Sequence, residues 1–185
     1  MISHASMPAG AFRIRRATVA DAAGIARVLE IVASERLYSA IDRAWSEEEQ
    51  RTYLSSLSAR EAFHVAIIPS GEIVGYQSLD LYSVVLPSMS HVGQLGTFVL
   101  PPWRGHGIGR ALFAATRELA DSAGYRKFVI HVRASNVAAR RFYTELGFRK
   151  CGRLREQVVI DGRPDDEILM ELLLPSDPSS STRQI

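Results

Sequence analysis

The stretch Gln94–Gly124, QLGTFVLPPWRGHGIGRALFAATRELADSAG, restricts the fold more than any other part of the chain. Leu95 to Val99 is apolar and β-branched enough for a buried strand. Pro101 and Pro102 end it, because proline has no N–H to give a neighbouring strand. After Arg104-Gly105-His106-Gly107, the apolar residues Ile108, Leu112, Ala115, Leu119 and Ala123 fall at helical spacing. Gly124 stands where a left-handed residue closes a helix. The unit is therefore strand, glycine-rich turn, helix. The first turn of a helix carries N–H groups with no intrahelical acceptor, at the positive end of the dipole. Glycines there let a phosphate reach the main chain, and Arg104 and Arg110 add charge. The turn is a candidate pyrophosphate site.

Spacing separates the families that use such a turn. A P-loop closes on Gly-Lys-Ser/Thr, whereas Ile108, Gly109 and Arg110 follow Gly107. A dinucleotide fingerprint G-x-G-x-x-G begun at Gly105 ends on Arg110, and its acidic partner about 20 residues on is replaced by Arg126 and Lys127. A third pattern, Arg/Gln-x-x-Gly-x-Gly/Ala, fits Arg104, Gly107 and Gly109. Downstream, Lys127–Arg133 reads as a strand and Asn136 as an N-cap. Val137 to Leu146 reads as a short helix with Ala139, Phe142, Tyr143 and Leu146 on one face, closed by Gly147. The Arg104–Gly109 pattern and the string N-x-x-A-x-x-F-Y-x-x-x-G-F from Asn136 to Phe148 together resemble the two cofactor motifs of the GNAT-type N-acetyltransferases. The resemblance runs from about Arg13 to Leu174, with sharp motifs only between Gln94 and Phe148.

The resemblance implies an α/β fold of the GNAT type, in which a central mixed sheet is flanked by helices. The strand before the turn and the strand after its helix would splay, with the pantetheine arm of acetyl-CoA in the gap. It implies cofactor contacts at Phe98, Val99, Arg104, Gly105, His106, Gly107, Ile108, Gly109, Arg110 and Asn136; no His/Cys cluster has metal-ligand spacing, so no metal is expected. It implies direct transfer of acetyl from acetyl-CoA to a primary amine of a small molecule or peptide. Tyr143 would be the acid for the departing thiolate. Family members often carry a glutamate on the strand before the turn; here that strand offers Gln94, with His91 earlier. Gln94 can orient an amine or a water, and His91 can take a proton. Glu35 and Asp80 are remote candidates for the base. The missing carboxylate keeps a non-catalytic acetyl-CoA-binding module open as the alternative, and a homodimer is left open too.

The remaining residues support a single domain over 11–174, with flexible termini at 1–10 and 175–185. Thr18–Asp21 and Ser46–Glu49 read as capping boxes. The first opens a helix with Ile25, Val28, Leu29 and Val32 inward, and the second a helix burying Tyr53, Leu54 and Leu57. Ala62–Ile68 and Ile73–Tyr82 form a hairpin with Gly75 near a bulge, and Arg149–Ile160 and Asp166–Leu174 form another. The element order is β-α-α-β-β-β-α-β-α-β-β, and few of the links are crossovers, so the sheet is mixed.

One cysteine excludes an intramolecular disulfide and suits a reducing compartment; with no bilayer-length apolar run and no signal-peptide core, a cytoplasmic protein with no membrane partner is expected. Between Pro101 and Arg155 twelve Lys/Arg face three Asp/Glu, a net of +9, while the rest of the chain carries −7. That basic half suits a cofactor with three phosphates; no zinc-finger spacing or basic run points to nucleic acid. Glu35, Asp42, Glu47, Glu48, Glu49 and Glu61 make the acceptor side acidic, through capping and solubility or toward a cationic amine. His106 has its side chain free to reach solvent, Trp103 packs over the loop, and His131 is as well suited to a core under a helix as to the surface.

Overall fold

The computed structural model describes residues 11–175 apart from 39 and 42; the expected flexible ends, 175 aside, and the candidate Asp42 lie outside the described residues. The chain runs β1 (Arg13–Arg16), α1 (Ala22–Ser34), α2 (Glu47–Ser56), β2 (Ala62–Ile67), β3 (Ile73–Leu81), β4 (Val92–Val99), α3 (Ile108–Ser122), β5 (Lys127–Arg133), α4 (Val137–Glu145), β6 (Arg149–Ile160) and β7 (Arg163–Leu173). This is the element order expected from the sequence.

Local chemistry fixes the helix starts. The Asp21 carboxylate accepts from the Thr18 N–H (2.8 Å) and from both Arg15 terminal nitrogens (2.7 Å each), which holds its carboxyl below the usual range. A 3₁₀ turn at Val19–Asp21 leads from that cap into α1. At α2 the box is reciprocal: the Glu49 N–H donates to Ser46 Oγ (3.2 Å), and the Ser46 N–H donates to the Glu49 carboxylate (2.7 Å). Ile25, Val28, Leu29 and Val32 of α1 are buried, as their spacing predicts. On α2 the pattern differs: Leu54 and Gln50 are buried, while Tyr53 and Leu57 are only half-buried. Tyr53 lies at the margin because its hydroxyl reaches Asp80.

The seven strands lie in the order β1-β2-β3-β4-β5-β7-β6. All pairs are antiparallel except β4–β5. A register shift after Ala66 places a bulge beside Gly75, where a Cβ would come within 2.9 Å of the Phe98 carbonyl oxygen. Paired residues on neighbouring strands share a face. Phe63, Val65, Tyr76, Phe98, Asp80 and Gln94 therefore lie on one face of the sheet, with α2 reaching it through the Tyr53–Phe63 contact. His64, Gln77, Leu79, Leu95 and Thr97 lie on the other, against α3. His131 stands on the exposed face of β5, its Nδ1 3.0 Å from Glu167, which removes the expectation that a helix covers it.

His64 sets a pH limit on this core. Its ring is buried, with Nδ1 3.0 Å from Thr116 Oγ1, and burial pushes its pKa down to about 4. The unfolded chain binds that proton below about pH 6.5 and the folded chain does not. Stability is thus expected to fall as the pH drops from 6.5 toward 4. Thermal melts of His64→Leu should show a flatter slope than the parent in that window; equal slopes would refute the assignment.

Candidate active site

β4 and β5 pair only at Val92–Lys127, Gly93–Phe128 and Gln94–Val129. Beyond Gln94 the two strands part. β4 stays on β3 to Val99, and Leu100 N–H donates to the Val74 carbonyl (2.9 Å). β5 stays on β7 to Arg133. The β5-facing edge of β4 from Leu95 to Val99 therefore has no strand partner, and such an edge can pair with an extended amide chain. Phe98 and Val99 lie on this stretch; the Phe98 ring stacks on Tyr76 at 4.9 Å.

The strand then enters the turn through a short 3₁₀ segment, Pro101–Trp103. Trp103 packs on the core, as expected for a lid over the loop. Gly105 and Gly107 take φ of 77° and 83°, the left-handed region that glycine tolerates. Gly107 caps α3, and Ile108 is fully buried and anchors the helix start. The first helical bond runs from Ala111 N–H to the Gly107 carbonyl (3.0 Å). The N–H groups of Ile108, Gly109 and Arg110 therefore have no helical acceptor. Among the described residues a Cβ on Gly107 would meet nothing within 4 Å, so the space beside it is open. This bare, left-handed cradle with three free amides fits a pyrophosphate.

Three turn residues also make contacts within the protein. Gly109 is needed for packing: a Cβ there would come within 3.0 Å of the Phe142 ring on α4. His106 is half-buried, and its Nδ1 is enclosed without a hydrogen-bond partner among the described residues. Arg104 is bound by protein groups: Nε donates to the Val99 carbonyl (2.9 Å), and the two terminal nitrogens donate to Glu35 (2.9 and 2.5 Å). Its guanidinium lies 4.4 Å from the centre of the Tyr38 ring. Arg110 is exposed and pairs with Glu145 (2.6 Å).

The far side of the gap is formed by the end of β5 and the start of α4. Asn136 caps α4, accepting from the Ala139 N–H (2.9 Å), while its Nδ2 donates to the Tyr38 carbonyl (3.2 Å). Arg133 donates to the Arg36 carbonyl (2.6 Å) and to Asp165 (2.9 Å). The segment Glu35–Tyr38 is thus held from both sides of the gap.

Tyr143 reaches across from α4. It is buried, and its hydroxyl donates to Thr97 Oγ1 (2.8 Å) on the α3-facing side of β4. Burial pushes its pKa up to about 12. Gln77 Nε2 also donates to Thr97 Oγ1 (2.7 Å). Thr97 and Gln77 carry no family motif and are not singled out by the sequence; only the strand register brings them to Tyr143.

Gln94 is the last residue paired to β5 and lies on the opposite face of β4 from Thr97. Across the ladder from it on β3 is Asp80, whose carboxylate accepts from the Tyr53 hydroxyl. His91 precedes β4 on the closed side of the junction. It is six residues from Thr97, about 20 Å along an extended chain, so it is not brought together with Tyr143. The acidic residues of the α1–α2 region are largely committed: Glu35 to Arg104, Glu47 to Arg51, Glu49 to Arg43 and the cap, and Glu61 to the Ser58 and Leu81 amides. A shallow hollow bounded by Asp21, Gly24, Arg27 and Glu72 shares no residue with this site. Among the described residues no three His, Cys, Asp or Glu side chains form a group that could hold a metal ion. None of their helices is long and apolar enough to cross a membrane.

Residues 26–148 match the Acetyltransferase (GNAT) family. The chain belongs to that family. As a GNAT acetyltransferase it is an acetyl-CoA-dependent enzyme, as the resemblance of its two motifs implies. It is 33% identical over 151 residues to an aminoglycoside N(6')-acetyltransferase type 1 of Stenotrophomonas maltophilia, covering 80% of this chain and 93% of that one. Its structure is similar to a ribosomal-protein-alanine N-acetyltransferase of Brucella melitensis, with TM-score 0.81, 26% identity, and coverage of 88% of this chain and 99% of the other. It also shares its fold with a phosphinothricin acetyltransferase of Sinorhizobium meliloti solved in complex with acetyl-CoA, with TM-score 0.83, 19% identity, and coverage of 91% of each chain.

Proposed function

We propose that this GNAT acetyltransferase transfers acetyl directly from acetyl-CoA to a primary amine on a small molecule or peptide. The observation that carries the reading is the parting of β4 and β5 at Gln94 with the Tyr143 hydroxyl reaching across it to Thr97. The glycine turn supplies main-chain amides to the pyrophosphate, and the open edge of β4 at Phe98 and Val99 supplies main-chain partners to the amide-bearing arm. Asn136 and the turn residues Gly105, Gly107, Ile108, Gly109 and Arg110 complete the cofactor side. Arg104 contributes by holding the turn to Glu35, and each of its terminal nitrogens keeps a second hydrogen for a phosphate. Tyr143 keeps its proton at neutral pH and gives it to the departing sulfur. A lysine-like amine, with a pKa near 10.4, is about one part in a thousand unprotonated at neutral pH, so the acceptor must also lose a proton.

An amine acceptor agrees with the relatives, since aminoglycosides and the alanine of a ribosomal protein both offer one. The test is a thiol-release assay with acetyl-CoA across aminoglycosides, polyamines, amino acids and peptides with free N-termini, with CoA binding measured in parallel by calorimetry. At least one amine should accelerate release well above the rate with acetyl-CoA alone. Binding of CoA with no amine-dependent release would favour the non-catalytic module instead.

A further inference from the structure

Gln94, the last residue of β4 paired to β5, carries an amide that cannot accept a proton. The β3–β4 register places a carboxylate directly across the ladder from that position. We infer that Asp80, one strand away from Gln94 on the same face of the sheet, takes the proton from an acceptor that arrives as an ammonium ion. This rests on the amine-acceptor reading above.

Three observations support it. First, cross-strand neighbours on one face stand about 4.5–5.5 Å apart at Cβ, within reach of a shared ligand. Gln94 is also the point where β4 and β5 separate, so Asp80 lies one strand from the mouth of the gap. Second, the carboxylate is partly buried but retains an anion-stabilising partner, the Tyr53 hydroxyl of α2. Third, this face carries a run of rings: Trp45–Tyr53 at 5.1 Å, Tyr53–Phe63 at 5.8 Å, Phe63–Tyr76 at 5.4 Å and Tyr76–Phe98 at 4.9 Å. Phe63 and Tyr76 are buried, but Trp45, Tyr53 and Phe98 keep part of their surface exposed, and such rings beside a carboxylate favour an organic cation over a neutral or anionic group.

The groups around Asp80 bear on its proton affinity. Burial raises its pKa above the ordinary carboxyl value, and Glu61, ahead of β2, raises it further. Hydrogen bonds from Tyr53 on α2 and from Ser78 on β3 oppose this. Tyr76 on β3 and Tyr125 ahead of β5 feel its charge, and the Arg60 guanidinium, 4.8 Å from the Tyr125 ring centre, donates to the Ser90 carbonyl. A raised carboxyl is better matched to accepting a proton than an unperturbed one.

The step balances. Asp80 takes one proton from R–NH₃⁺, leaving R–NH₂ and a neutral carboxyl. The amine lone pair forms the new C–N bond to the thioester carbon, and the C–S bond breaks with its electron pair on sulfur. Tyr143 donates its proton to that thiolate and recovers one from the new amide nitrogen, which carries two. Asp80 then returns its proton to solvent, so the net release is one proton, N-acetylated product and free CoA.

The test compares wild type, Asp80→Asn and Tyr53→Phe in the thiol-release assay between pH 5 and 10, using kanamycin, spermidine and an alanine-initiated peptide as acceptors. Asp80→Asn should lower kcat/KM by about 10²-fold or more. It should bind CoA like the parent, lose the acidic limb of the pH profile, and recover partly as the pH rises and free amine accumulates. A purely structural role would not produce that alkaline recovery. Tyr53→Phe removes a bond that favours the anion, so its acidic limb should move to higher pH with most turnover kept. Asp80→Asn turnover within threefold of wild type with the same acidic limb overturns the inference and leaves the amine reading standing. If Asp80→Asn does not fold, an unmoved limb in Tyr53→Phe overturns it. Wild type that binds CoA but acetylates no amine removes the reading and the inference together.

Discussion

Gly107→Val is expected to weaken CoA binding by about 100-fold or more, and calorimetry on the purified variant checks it. The residue sits at φ 83°, where a β-branched side chain is a genuine outlier. Strain of this kind costs about 1–3 kcal/mol of stability in the free and bound protein alike, so the loss of affinity comes from the side chain standing where the phosphates would lie, each 1.4 kcal/mol lost there being about tenfold. Among the described residues, chain neighbours aside, no atom lies within 4 Å of the position a Cβ would take, so there the variant has no clash to relieve. The side chain would instead stand in the clear space above the free amides of the first α3 turn. Gly124→Val is the matched control. It has φ 76° and equally open surroundings, but lies just beyond the other end of the same helix. It should lower the melting temperature similarly and leave CoA affinity intact. If both variants bind CoA like the parent, the turn does not hold the pyrophosphate.

Tyr143→Phe is expected to reduce kcat by about 10²-fold, the low end for a general acid, because a thiol is a fair leaving group. The hydroxyl donates to Thr97 Oγ1 at 2.8 Å, and a neutral hydrogen bond contributes about 1 kcal/mol. The ring, packed 5.3 Å from Phe148 and 5.0 Å from Phe142, is unchanged in phenylalanine. Melting temperature and acetyl-CoA affinity should therefore move little, and kcat and kcat/KM should fall together, the sign of an interaction made only as charge develops. Because the tyrosine pKa is pushed up to about 12, the parent should show no loss of this acid through the neutral and mildly alkaline range. Unchanged turnover, with chemistry shown to limit the rate, would remove Tyr143 from the mechanism. A large drop in stability would return it to the core.

The parts of the site that were legible in sequence are those built from near neighbours. Asn136 bonds Ala139, Ser46 bonds Glu49, and the Gly105–Gly107 turn leads straight into α3, all within three residues. Such spacings leave a pattern that can be read along the chain. What was not legible depends on register and distance. Asp80 faces Gln94 only because the β3–β4 hairpin pairs as it does, and a one-residue slip would turn it to the other face. Arg104 meets Glu35 across 69 positions, so its charge looked available when it was already matched. Gly109 reads as a phosphate contact, and the size limit that Phe142 of α4 also sets on it comes from a helix that begins only at Val137. The insertion of β7 between β5 and β6 likewise left no local mark.

The three-residue junction of β4 with β5 has a mechanical consequence. It is the parallel seam between two antiparallel halves, β1–β4 on one side and β5, β7 and β6 on the other. The buried side chains divide in a similar way into two clusters, and α3 contributes Ile108 and Leu112 to one and Ala120 to the other. The helix that begins at the glycine turn is therefore a tie-bar between the halves, alongside the short zipper and the bonds of Tyr143, Asn136 and Arg133 across the gap. A ligand lying along the open edge of β4 would lengthen that zipper. Its binding energy would then act as cohesion between the halves, about 2.7 kcal/mol at a concentration one hundred times its dissociation constant.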